Sequence, residues 1–597
     1  MLAHLVLLTL LCAAVYGLGL TSHGLTNWQE AQRALVAREM QVRGEWIVPT
    51  VDGRPYLAKP PMIYWCQLAL AALRGTETGD FELRLTVALA GWLGVVATYV
   101  VARRMLGPTP AWWASLFLAT GFLYARSSRI GELDILLAPF TVAAVGAIWA
   151  GWATHREMGK TNLRAAVVAA LAATGAMLTK GPPGLLAIAL AGYGGMAVWE
   201  AWNHERGAPR ISGPVRWTVA LLTGLAFAGA AWWSWRDEPW SGTDIAGVFI
   251  LFLVGTVAGA TLVRLADLAR LGALFKVYSR THPIGVLGVP VLALWGWGRI
   301  VTARIGPDRV ADAVRAEAAD NLRMFVPESP VNNLEAMAFG VGLGSVLALG
   351  SLACLVWKRP KLTREMAVML AWVVGGFIAF SVLGKGVARY LTPLWPGIAL
   401  LGGWTIASWM SSARKPWRLA GWAYASVACL AAGEAFWYGW AREHSSGSTI
   451  RAWLGQRPGD EPGFSARSPR AMMRELASLP EPTRRDRLVM FEFETPAVDV
   501  YAGFPVEAVG DVVRRPGVVG IGPRTLADLR RRLVIDGGSI VVLYRQRQPD
   551  GMTPESARSR IEGAGFSFEE IPLKSRFRID NWRTDVGAAR ISLAPGD

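Results

Sequence analysis

Residues 84–104 read RLTVALAGWLGVVATYVVARR, an apolar block closed by two arginines. A helix rises about 1.5 Å per residue, so roughly twenty such residues cross the ~30 Å hydrocarbon layer of a bilayer. The block is apolar all round rather than along one stripe, which suits a helix surrounded by lipid and other helices. Similar blocks recur near 2–20, 110–125, 135–153, 164–178, 184–201, 216–235, 245–263, 283–300, 335–357, 366–383, 390–411 and 417–439, about thirteen spans with 84–102 included. The stretch 62–73 is apolar but too short to cross, and is expected to lie in the interface. Met1–Leu20 lacks a basic start and a cleavage site, so the sequence predicts a first span there rather than a signal peptide.

Composition agrees with a membrane class. Of 597 residues 52% are hydrophobic and 18% charged, against about 25% charged in soluble domains, and the mean hydropathy is +0.31. Many of the 28 tryptophans, such as Trp112-Trp113 and Trp232-Trp233, sit near block ends and read as interfacial anchors. The net charge of +16 is spread over the loops instead of one soluble face, which excludes nucleic acid as the expected partner and leaves membrane lipids. Cys12, Cys66, Cys354 and Cys429 lie in or beside apolar blocks without the spacing of a metal knuckle or a disulfide framework.

Lys and Arg resist translocation, so they orient the chain. Alternate loops hold Arg103-Arg104, then Arg156 with Lys160 and Arg164, Arg206 with Arg210 and Arg216, Arg264 to Arg280, Lys358-Arg359 with Lys361 and Arg364, and Arg414-Lys415 with Arg418. These are assigned to the cytoplasm. Loops 21–83, 126–134, 179–183, 236–244, 301–334 and 384–389 then face outward, together with everything after about residue 440. Residues 441–597 are charged and punctuated by Pro and Gly, with strand-like runs at Leu488–Phe491 and Ile540–Tyr544, and are expected to form a soluble α/β domain. The predicted class is mainly α: a polytopic membrane domain over 1–440, with 21–83 as its first outward loop, followed by that α/β domain.

The unusual polar motifs all fall in the outward loops. Glu30, Arg33 and Ala37 share one face of a short helix in Trp28–Met40. Either this is an interfacial helix with a surface ion pair, or Glu30 is a general base at the membrane rim. Next come Arg38-Glu39-Met40, Gly44-Glu45-Trp46-Ile47-Val48-Pro49, Gly53-Arg54-Pro55-Tyr56 and Lys59-Pro60-Pro61 with Tyr64-Trp65. In order, these elements resemble the first periplasmic loop of the C-type membrane glycosyltransferases, the superfamily of lipid A aminoarabinose transferases and protein O-mannosyltransferases. The resemblance continues in Glu132-Leu133-Asp134, in Leu178-Thr179-Lys180-Gly181-Pro182, in Asp320–Phe325 as a divergent EN-x-x-RF segment, and in Lys385–Pro393. It covers most of residues 20–400 and none of the tail. Departures are Gln29-Glu30 where the family commonly has an Asp-Glu pair, Ala58 where an acidic residue often precedes Lys-Pro, and an extra pair of spans within 216–282.

The resemblance implies a cell-envelope enzyme of the bacterial cytoplasmic membrane. Its donor would be a polyprenyl-phosphate sugar, its acceptor a lipid, glycan or protein at the outer face, and its transfer inverting. Such chemistry needs a carboxylate to take the acceptor's proton and positive charge on the departing phosphate. Glu30 is the first candidate for the former and Asp134 the second. Arg33, Lys59, Arg129, Lys180, Lys385 and Arg389 are candidates for the latter, with Tyr56 and Tyr390 shaping the pocket. Taken singly, the cations also read as side chains that snorkel, end a span or pair with lipid phosphate. A divalent cation on Glu30 or Asp134 is an alternative source of charge. A transporter or flippase of lipid-linked sugars is the competing function, and it would place ionisable residues near mid-span, where few are found.

Overall fold

The computed structural model describes residues 1–20, 25, 28–51, 53–203, 213–235, 245–253, 255–256, 278–321, 326, 329–358, 362–383 and 386–441, and beyond these 472, 475–476, 488–491, 507–509, 526, 529–530, 533, 539–545, 554–572, 577–579 and 584–593. Lys385, residues 322–325 of the divergent motif and the end of the 245–263 block lie outside them. The molecule is mainly helical. Among the described residues six helices are long and apolar enough to cross a membrane, or seven if the bent pair Ser329–Ala338 and Leu343–Leu352 is one span.

Two compact units emerge. The first comprises 1–18, 87–300 and 321–440. Leu137–Met158 and Leu163–Lys180 form an antiparallel pair, joined by a turn in which the Asn162 side chain accepts from the Ala165 amide at 3.0 Å. Trp395–Met410 packs along Pro108–Thr120 with almost no side chain between them: a methyl at Gly403 would sit 2.6 Å from the Pro110 carbonyl oxygen. Small residues allow this where apolar burial alone gives no drive, because lipid is as apolar as leucine. Three helices carry π-type turns, at Ala13–Gly17, Ala189–Gly194 and Ala371–Gly375, and the last two pack against each other. Trp113 departs from the anchor expectation. It is 6% exposed and packs on Phe117, so it belongs to the core, whereas Trp232 lies on the surface.

The second unit comprises 19–86, 301–320 and 441–597. In the first of these segments helix Trp28–Val42 packs on helix Met62–Arg74, and between them strands β1 (Thr50–Val51) and β2 (Arg54–Pro55) make a small antiparallel hairpin. The Glu39 carboxylate holds that hairpin through the Thr50 hydroxyl and the Gly53 amide. The described part of the tail is a six-stranded sheet of β3 (Leu488–Phe491), β4 (Glu507–Val509), β5 (Ile540–Arg545), β6 (Phe566–Ile571), β7 (Phe577–Ile579) and β8 (Thr584–Leu593). Its order is β4-β3-β5-β8-β6, with β7 also on β8; β4, β3 and β5 run parallel and the other pairings are antiparallel. Helix Pro554–Gly563 covers it, burying Ile561 against Ile540, Val542 and Phe566.

Candidate functional site

In the first unit, three chain breaks that are distant in sequence meet. Asp134 sits in the 3-10 turn Leu133–Leu136 that precedes a long apolar helix. Lys180 is the last residue of helix Leu163–Lys180, which stops because Gly181 takes φ +78 and two prolines follow. Arg389 and Tyr390 lie in the 3-10 turn Ala388–Leu394. The Lys180 ammonium donates to Asp134 Oδ1 and stands 3.6 Å from the centroid of the Tyr390 ring. The Arg389 guanidinium carbon is 5.6 Å from the same centroid. A carboxylate, an aromatic face and two cations thus form one cluster.

Burial makes this cluster costly. The Asp134 and Lys180 side chains are 2% and 11% exposed, and a charge so enclosed needs its partner. The contact to Tyr390 supplements the ion pair, since a ring face attracts a cation most strongly when water is excluded. Arg129 has a different attachment. Its guanidinium donates to the Val15 and Leu18 carbonyls at 2.6 and 2.7 Å, beyond the end of the N-terminal helix, where a cation satisfies carbonyls left over by the helix. Glu132 beside it accepts from the Ser127 hydroxyl at 3.2 Å.

In the second unit Glu30 is 3% exposed, and both its carboxylate oxygens are bonded to Arg84, at 2.7 Å from Nε and 3.1 Å from the second terminal nitrogen. The remaining terminal nitrogen of Arg84 donates to the Leu20 carbonyl at 2.8 Å. Arg84 is the residue that the motifs missed. Its signal was present, because it is the one charge inside the opening 84–102 block, and an ionisable residue within an apolar block needs a reason. Arg33 is buried on the same helix as Glu30. The Lys59 ammonium donates to the Ala58 carbonyl at 2.9 Å, and the Tyr56 hydroxyl lies 3.5 Å from Gln32 Oε1. The described sequence candidates therefore fall into two groups, Arg129, Asp134, Lys180, Arg389 and Tyr390 in one unit and Glu30, Arg33, Tyr56 and Lys59 in the other.

Neither carboxylate fits a metal well. Asp134 is bonded to an ammonium and Glu30 to a guanidinium, and among the described residues no three His, Cys, Asp or Glu side chains gather.

Among known structures, ArnT from Cupriavidus metallidurans bound to undecaprenyl phosphate aligns over 98% of this chain and 97% of that one, with a TM-score of 0.59 and 15% identity. Its apo form aligns equally fully, with a TM-score of 0.56. The chain shares the fold of these ArnT structures. Residues 58–235 match the family described as dolichyl-phosphate-mannose-protein mannosyltransferase, a stretch that includes Lys59, Arg84, Arg129, Asp134 and Lys180. An undecaprenyl phosphate-alpha-4-amino-4-deoxy-L-arabinose arabinosyl transferase of Edwardsiella ictaluri is 34% identical over 142 residues, 23% of this chain and 25% of that one. A second protein of that description, from Pseudomonas fluorescens, is 32% identical over 137 residues, 22% and 23%. The matched stretch thus spans about a quarter of these curated relatives.

Within the second unit, Glu45 clips the first segment to Arg304 of the 301–320 segment, which donates to both carboxylate oxygens at 2.6 Å. Burial alone pushes the Glu45 carboxyl up, but the Ile47 amide at 2.7 Å, Arg304 and the Val48 amide together more than reverse this, leaving it below its ordinary value. A lowered carboxyl pKa adds stability above the unfolded value, about 4.3, and loses it as pH falls through the folded value. Proteolysis of residues 44–49 is therefore expected to accelerate in the wild type as pH falls below the ordinary glutamate range, and to be fast and insensitive to pH in Glu45→Gln. Equal acid sensitivity of the two proteins contradicts the clip.

Proposed function

We propose that this chain is an inverting glycosyltransferase of the bacterial cytoplasmic membrane, moving a sugar from a polyprenyl-phosphate donor to a lipid, glycan or protein acceptor at the outer face. In this reading about thirteen spans within 1–440 form the membrane domain, and the loops carrying the site and the α/β domain of 441–597 lie outside. The observation that carries it is Lys180, held between the Asp134 carboxylate and the Tyr390 ring with Arg389 beside that ring.

The donor's anomeric carbon is bonded to a phosphate oxygen. Attack by an acceptor hydroxyl forms the new C–O bond from the opposite face as the bond to phosphate breaks, and the hydroxyl proton must leave. Lys180 supplies a compact charge to the departing phosphate, and Arg389 can donate two parallel bonds to it. When the phosphate takes Lys180, Asp134 is released to accept the proton, so donor binding readies the base. Glu30 is less suited to that task, because a proton reaching it must displace a bond from Arg84; its part is to set the first loop. Arg33, Lys59 and Tyr56 stand as donor-binding candidates on the motif alone. No described geometry favours the transport alternative.

Mass spectrometry of lipid extracts from cells with and without the gene tests the reading. Deletion is expected to accumulate a polyprenyl-phosphate sugar while one modified lipid, glycan or protein disappears. Unchanged lipids and unchanged protein glycosylation contradict it.

A further inference from the structure

In the unit that holds Lys180, a short helix carries a cation that the sequence motifs passed over. Helix Phe122–Ser127 packs on both turns of the cluster, Leu133–Leu136 with Asp134 and Ala388–Leu394 with Arg389 and Tyr390. Two contacts tie it there. The Ser127 hydroxyl donates at 3.2 Å to Glu132, the residue that opens the Asp134 turn. The buried Tyr124 ring meets Trp395 edge-on, 6.1 Å between centroids, and Trp395 directly follows the Tyr390 turn. Arg126 lies between these two ties in the chain and is exposed.

The ordinary uses of an arginine at this place are met by other groups. The Arg126 carbonyl accepts from the Arg129 and Ile130 amides at 3.0 and 3.1 Å, so the backbone closes the helix and the guanidinium is not needed as a cap. The carboxylates of the adjoining turn are engaged, Glu132 by Ser127 and Asp134 by Lys180. Arg129, three residues on, is spent on the Val15 and Leu18 carbonyls. Among the described residues the Arg126 guanidinium has no hydrogen-bond or ion-pair partner. Arg126, Arg129, Lys180 and Arg389 thus outweigh Glu132 and Asp134, and positive charge in excess attracts an anion.

We propose that Arg126 anchors the phosphate of the polyprenyl lipid, binding it on arrival and keeping hold of it while Lys180 is engaged. The inference rests on the polyprenyl-phosphate reading above. Lys180 is 11% exposed and bonded to Asp134, so a phosphate reaching it must displace a carboxylate, whereas an exposed guanidinium without a partner takes the phosphate at no such cost. Its planar fork can donate two parallel bonds to phosphate oxygens. Phe122, one turn earlier and on the same face of the helix, is half-buried, so an apolar ring and a cation lie in line, as the prenyl chain and the phosphate do in the lipid. Arg126 starts the outward loop 126–134, at the level where such a phosphate lies in this reading.

The test uses the full chain in nanodiscs of zwitterionic lipid, with undecaprenyl phosphate, undecaprenol and inorganic phosphate as probes. Arg126→Ala is expected to weaken undecaprenyl phosphate about tenfold and to leave undecaprenol unchanged, with the loss shrinking as salt is raised. Arg126→Lys, which keeps the charge but not the fork, recovers part of the affinity. Arg104→Ala removes an equally exposed charge from the far end of helix Asp80–Leu106 and stays within about twofold of wild type. Unchanged affinity in Arg126→Ala overturns the anchor, as does an equal loss in Arg104→Ala or an equal loss for undecaprenol. Inorganic phosphate binding the wild type as tightly as the lipid phosphate overturns the lipid as its ligand. Failure of the wild type to bind undecaprenyl phosphate at all instead overturns the reading on which the anchor rests.

Discussion

Lys180→Ala is expected to lower the transfer rate by about 10³, the scale seen when one preorganised group facing developing charge is removed. Two losses combine. The departing phosphate is deprived of its nearest compact charge, and the Asp134 carboxylate, 2% exposed, is left without its ammonium. Lys180→Arg is expected to recover only part of the rate, because a guanidinium can stack on the Tyr390 ring and bond Asp134 in its plane but spreads its charge over a larger, more rigid group than the compact ammonium. Asp134→Asn separates the two losses: it keeps the shape, removes the proton acceptor and is expected to cut kcat by about 10²–10⁴ with little change in donor affinity. Transfer assays on the three variants in nanodiscs read this directly. Undiminished turnover in Lys180→Ala removes the cluster from the mechanism.

Arg84→Ala is expected to be the most destabilising single change within residues 19–86, by about 3–5 kcal/mol, because it removes both Arg84 bonds from the buried Glu30 carboxylate. Leu20 would lose its donor as well. Replacing both members of such a pair with apolar side chains is often neutral, so Glu30→Met with Arg84→Met is expected to regain most of the lost stability. Thermal melting, with protease protection of residues 28–86, follows this. The double variant also decides the part played by Glu30. As an anchor, its loss leaves transfer within about tenfold of wild type once the loop is stable, whereas a proton acceptor cannot be dispensed with, at about 10²–10⁴.

What the sequence discloses and what it hides follow from the range of each physical signal. Span length and apolar composition are local, and the helices at 80–106, 133–158, 163–180, 283–305 and 364–383 coincide with the predicted blocks. Helix Trp28–Val42, with Glu30 and Arg33 on it, was equally legible from spacing. Partnership is not local. Glu30 and Arg84 are 54 positions apart, and Asp134 and Lys180 are 46 apart, so spacing and motif nominate these residues without showing which groups they bond. Interruptions were also hidden. The 110–125 block is broken at Gly121, and 335–357 bends through 116° between Ala338 and Leu343. Both breaks fall where Gly121 meets Val341, with 2.8 Å between an added methyl and the Val341 Cα. Glycine in an apolar run looks the same whether it eases helix packing or ends a helix, so the pattern cannot distinguish the two.

Titration of undecaprenyl phosphate into the full chain, beside Lys180→Ala and Arg389→Ala, addresses the central claim that this cluster receives a lipid-borne phosphate. Saturable binding in the wild type, weakened about tenfold or more in each variant, is the predicted result. Equal affinity in all three proteins contradicts it.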